Sequence, residues 1–101
     1  MALKSLGVVT VNGEKVSLSQ ATYQDGVSIA IVADTANGEA YGKLSVFVRG
    51  LALEPGCFVV KDYSENKALA AAALASGLFI DTGRRVQVSD WVKAPIWRIK
   101  G

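Results

Sequence analysis

The stretch Leu6-Gly7-Val8-Val9-Thr10-Val11-Asn12-Gly13-Glu14-Lys15-Val16-Ser17-Leu18-Ser19 decides how this chain folds. Its first half is rich in β-branched residues, which suit a pleated, half-buried surface. Asn12-Gly13 then supplies two residues that tolerate positive φ, as a type I′ hairpin turn requires. Glu14–Ser19 is the return strand, with Val16 and Leu18 on one face. A chain that opens on a tight antiparallel hairpin belongs to a fold built largely from antiparallel strands.

Further strands follow. Val27–Asp34 alternates Val27, Ile29, Ile31 and Ala33 against Ser28, Ala30, Val32 and Asp34, so both faces are largely apolar. That pattern predicts a central strand covered on both sides. Thr35–Gly38 holds a second Asn-Gly turn, and Glu39–Val48 reads as its antiparallel partner. Leu44, Val46 and Val48 oppose Tyr41, Lys43, Ser45 and Phe47 along it. Arg49–Gly56 is a connection, and Cys57–Lys61 a short buried strand.

Asp62-Tyr63-Ser64-Glu65 has the layout of a capping box, which predicts a helix from there to about Ser76. Gly77 is its left-handed stop. Leu69, Ala72, Ala73 and Ser76 form the packing stripe, widened by Ala70 and Leu74, and Leu78, Phe79 and Ile80 anchor it. Asp81-Thr82-Gly83 reads as a turn, Arg84–Val88 as a strand and Ser89–Ala94 as a link. Pro95–Ile99 is the last strand, placed at an edge because proline cannot donate to a ladder. The expected fold is α+β: one domain over residues 1–101, a twisted, mainly antiparallel sheet of six to seven strands, and one helix packed on it, in the order βββββαββ.

Composition narrows the function. The 101 residues contain no histidine and one cysteine, and half are hydrophobic. Histidine is the usual general base near neutral pH and the partner of most nucleophiles. Cys57 has no recognisable base and reads as a small buried hydrophobe. Asp34–Glu39 fails as a calcium loop, because Ala36 and Gly38 offer no side-chain oxygen where ligands are needed. Asp62 and Glu65 are better explained as helix caps than as an acid–base pair. The sequence therefore points to a non-enzymatic protein with no metal and no cofactor. Ala68–Ile80 is too short to span a bilayer. The start of the chain lacks the apolar run of a signal peptide, so a cytoplasmic location in a bacterial host cell is expected.

Charge is unevenly placed. Net charge is only +2. Yet the last fifth of the chain carries Arg84, Arg85, Lys93, Arg98 and Lys100 against Asp90 alone, together with Trp91 and Trp97. Arginine makes planar bidentate contacts, and Trp and Arg are enriched at binding hot spots. Trp97, in an apolar strand, reads as core. Trp91, in a polar link, reads as surface. The partner-binding candidates are therefore Arg84, Arg85, Trp91, Lys93, Arg98 and Lys100. Thr82-Gly83-Arg84-Arg85 also offers backbone N–H groups and guanidinium to a phosphate.

Asn37–Val46 resembles the Gly-Glu-x-Tyr-x-x-Leu-Thr-Val segment of a small bacterial domain family of unknown function, often encoded near phage and plasmid genes. Leu53, Val59-Val60-Lys61-Asp62, Thr82-Gly83-Arg84 and Pro95-Ile96-Trp97 follow in a similar order, so the likeness spans residues 20–99. What the resemblance implies is an accessory protein of a phage or mobile element. Such a protein would block a host protein complex or ribonucleoprotein, for example a CRISPR effector, by occupying its surface. The alternative is a nucleic-acid-binding accessory protein using the same basic segment. No membrane partner is expected, and an edge strand such as that of Pro95 is suited to a homodimer.

Overall fold

The computed structural model describes residues 3–100. Its elements follow the expected order: β1 (Lys4–Val11), β2 (Glu14–Thr22), β3 (Ile29–Thr35), β4 (Ala40–Lys43), β5 (Cys57–Val59), α1 (Lys67–Ala75), β6 (Phe79–Ser89) and β7 (Val92–Ile99). The class is α+β with antiparallel pairing throughout. The expected single sheet is corrected. There are two sheets, one of four strands ordered β1-β2-β3-β4 and one of three ordered β5-β7-β6.

The opening hairpin forms as its sequence requires. Asn12 and Gly13 take φ of 50° and 83°, between Val11 and Glu14 in register. Val9, Val11, Val16 and Leu18 are all buried on one face. β3 is internal to its sheet, and Ala30, Ile31 and Ala33 are sealed from both sides.

The sheet divides because the strand expected over Glu39–Val48 changes partners partway. β4 ends at Lys43. The Leu44 amide still donates to Ile31 O at 2.9 Å. Beyond it, Ser45 bridges to Val60, Val46 N donates to Val59 O, and Lys61 N donates to Leu44 O. One extended segment thus stitches the two sheets together. Pro95 fixes where that seam lies. Val60 N donates to Pro95 O at 2.9 Å, but Pro95 has no N–H to return, so the β5–β7 ladder stops at Val59. Pro95 is also buried, in the central strand of its sheet. It does not mark an edge, and a dimer built through it is ruled out by that position.

The main core lies between the two sheets and the helix. Phe58, Phe79 and Trp97 interlock there with ring centroids 5.4–6.4 Å apart. A second, smaller cluster covers the other face of the three-stranded sheet, where Val46, Val48, Leu51 and Leu53 pack on Cys57, Val59, Ala94 and Ile96. Cys57 is a buried core residue, as its neighbours suggest.

The helix begins later than the capping box requires. Ser64 takes φ of 55°, and a single 3-10 turn over Ser64–Asn66 precedes α1. Asp62 is therefore too early to cap, and neither cap position makes a side-chain hydrogen bond. Glu65 turns instead to Lys61, at 2.6 Å. Buried Asn66 anchors the helix start by donating its side-chain amide to Lys43 O. Leu69, Ala70 and Ala73 form the packed face, and Gly77 ends the helix at φ 81°. Leu74, expected to widen the packing stripe, and Ile80, expected as an anchor, are exposed, while Phe79 is buried and Leu78 packs partly buried against the core. The helix lies against β1 and β6, the outer strands of the two sheets, and so closes the gap between them.

Candidate functional site: the β6–β7 hairpin

The region read as turn, strand and link between Asp81 and Ala94 is one continuous ribbon. β6 runs from Phe79 to Ser89, and only Asp90 and Trp91 separate it from β7. The expected turn at Asp81-Thr82-Gly83 is a bulge inside β6, where the register slips from Asp81↔Trp97 to Arg84↔Ile96. The side chains specify it. Thr82 Oγ1 donates to Ile96 O at 2.6 Å, Gly83 N donates to Asp81 Oδ1, and Gly83 takes φ of 82°. Glycine is suited to that conformation, and bulges bend and re-aim strands.

The bulge sorts the candidate contact residues onto two faces. Arg84 and Arg98 fall on the same side and line a depression of about 390 Å³ with Glu54, Asp81 and Ile80. Arg84 reaches Glu54 at 3.5 Å. Arg85 and Lys93 fall on the other side, paired in register with Pro95 and Gln87. Arg85 reaches back to Asp81 at 3.2 Å. The amide of Gly83 and then the Arg85 guanidinium hold the Asp81 carboxyl below the usual carboxylate range. Lys100 lies beyond the ribbon, where its amide closes onto Leu78 O.

The two indoles separate completely. Trp97 is 3% exposed, in the aromatic core, and its Nε1 has no partner among the described residues. Trp91 is 93% exposed at the hairpin tip, held only through its backbone, where its amide meets Ser89 Oγ at 3.4 Å. Behind the tip, half-buried Val86 and Val88 seat one face of the ribbon on the second core cluster. The tip is thus a supported arm presenting a bare indole with Lys93 close behind it, while Arg84, Arg85 and Arg98 lie further down, toward the base of the ribbon. Among the described residues no helix is long and apolar enough to cross a membrane.

One cluster escaped the sequence reading. Tyr23, Tyr41, Lys43, Phe47 and Arg49 gather around two adjoining depressions at the far end of β2 and β4. The available signal is the set Tyr41, Lys43, Ser45 and Phe47 opposing Leu44, Val46 and Val48 in the expected strand, with Arg49 following in the connection. No family model matches this chain, nor does any curated protein or solved structure.

Proposed function

We propose that this chain is a non-enzymatic binding protein that acts by docking the β6–β7 hairpin against a macromolecular partner. The observation that carries the reading is Trp91, an almost fully bare indole on the tip of a ribbon whose base is packed into the core. A large aromatic side chain gains most when it enters a partner's pocket, and Trp dominates hot spots for that reason. Lys93 beside the tip and the arginines further down the ribbon favour a partner with acidic surface, and they set approach and register more than affinity. The absence of histidine supports binding rather than acid–base chemistry. The partner class proposed, a host defence complex met by a phage or mobile element, is what the resemblance over residues 20–99 implies.

Nucleic acid on this same hairpin is the weaker reading. Arg84 and Arg85 each already face a carboxylate, and the cations divide between two faces rather than lining one track. Counterion release needs cations that reach phosphates together.

The test is affinity capture with tagged chain, comparing wild type with a Trp91→Ala/Lys93→Ala variant by quantitative mass spectrometry. The expected result is a discrete protein set retained by wild type and depleted at least about tenfold by the variant, since a hot-spot tryptophan contributes roughly 2 kcal/mol or more. Equal retention by both would overturn the hairpin assignment.

A further inference from the structure

We propose that the strip formed by Tyr23, Tyr41, Lys43, Phe47 and Arg49 binds single-stranded nucleic acid, as a second site that shares no residue with the hairpin. Tyr41, Lys43, Phe47 and Arg49 come from the segment that joins the two sheets and the turn after it, and they line the two adjoining depressions together with Tyr23, while Leu44, Val46 and Val48 turn inward to the two cores. The exposed side chains among them are two rings and two cations, Tyr41, Lys43, Phe47 and Arg49, while Ser45 between them is buried.

Tyr23 fills the gap above the serine. Its hydroxyl and Ser45 Oγ lie 2.8 Å apart, and Ser45 Oγ also accepts from the Ile31 amide. That places the Tyr23 ring 5.1 Å from Phe47 and 5.5 Å from Lys43 Nζ. The ring is locked from below, so it forms a preorganised platform rather than a loose side chain. Phe47 and Tyr41 remain 43% and 37% exposed beside it. The two depressions along the strip have volumes of about 730 and 390 Å³ and share Tyr23, Lys43 and Phe47.

Charge selects the ligand. Asp25 borders the larger depression, but its carboxylate is occupied by its own loop. It accepts from the amides of Val27 and Ser28 and from the Ser28 hydroxyl. Lys43 and Arg49 have no carboxylate within ion-pair distance among the described residues. Exposed rings interleaved with cations match the bases and phosphates of a single strand, where stacking supplies sequence-tolerant affinity and cations follow the backbone. A duplex hides its base faces and would not use the rings.

The test is fluorescence anisotropy of labelled dT12 and rU12 with the whole chain at low salt, followed by a salt titration. Expected is saturable binding of either strand, with a log–log salt slope near −1 to −2, as about two phosphate contacts require. Phe47→Ala should weaken binding roughly 5- to 150-fold, and Arg49→Glu should weaken it and flatten the salt slope. Circular dichroism melts establish that both variants are folded. Trp91→Ala/Lys93→Ala should leave strand binding unchanged, which separates this site from the hairpin. The proposal is overturned if wild type binds neither strand, if folded Phe47→Ala binds as well as wild type, or if the hairpin variant alone abolishes binding. Equal binding of a labelled polyglutamate peptide would also overturn it, since only charge would then be read.

Discussion

At the residue scale, one serine and two tryptophans carry distinct expectations. Ser45 is 3% exposed and is the shared partner of the Ile31 amide and the Tyr23 hydroxyl. Ser45→Ala leaves a buried N–H unpaired and is expected to lower stability by about 1–3 kcal/mol in urea melts. Trp97→Ala empties the centre of the aromatic core and should lower it by about 3–5 kcal/mol, enough to unfold a marginal domain. Trp91→Ala should move stability by no more than about 0.5 kcal/mol while removing partner binding. Asp81 gives the pH dependence. Its folded-state carboxyl titrates below the ordinary value of about 4, held first by the Gly83 amide. Its contribution is therefore present above that value and lost as pH falls through the folded one. Asp81→Asn should melt below wild type at pH 7, and the two melting temperatures should converge near pH 2. Persistent separation at pH 2 would show that the bulge geometry, not the charge, is what Asp81 supplies.

At the element scale, legibility followed the range of the forces involved. Short-range chemistry could be read directly: Asn12-Gly13 specified its turn, Gly77 its helix stop, and the alternation through Ile29–Ala33 its covered strand, although Val27, expected on the same face, lies before β3 and is 80% exposed. Misreadings arose where a glycine or proline acted inside an element instead of between elements. Thr82-Gly83 is a bulge because β7 lies alongside to complete it, and nothing local distinguishes that from a turn. Pro95 sits in a central strand because β5 ends just where its N–H would be needed. The Tyr23–Phe47 strip was missed for a related reason. Tyr23 joins it across a long sequence separation, through Ser45. Gly7 offers a test at this scale. It sits at the β1 irregularity with φ of 153°, and an added Cβ would come within 3.0 Å of Leu78. Gly7→Ala is expected to cost about 1–3 kcal/mol by crowding the Leu78 side chain, which must shift to make room. An unchanged melt would mean that this contact adapts freely.

At the scale of the whole molecule, two small sheets share one core and are joined by a seam at Ser45 and Val60, with a short helix across the remaining gap. The arrangement leaves β6 with an open outer edge along its distal half, but that edge carries Arg84, Arg85 and Gln87 and two register slips. Charges and bulges of this kind discourage edge-to-edge pairing. Two copies should accordingly not pair through β6, and a concentration-dependent dimer in sedimentation velocity that is abolished by a β6 variant such as Gln87→Pro would contradict that. Among the described residues the most exposed large hydrophobic side chain is Trp91, at the hairpin tip. The most direct measurement of its role is photo-crosslinking in cells, with Trp91→p-benzoylphenylalanine compared with Thr10→p-benzoylphenylalanine on the exposed side of β1. A discrete adduct to one protein from position 91, absent from position 10, is the expected result. Identical adduct patterns from both positions, or none from position 91 in a variant that remains active in cells, would contradict docking through the hairpin.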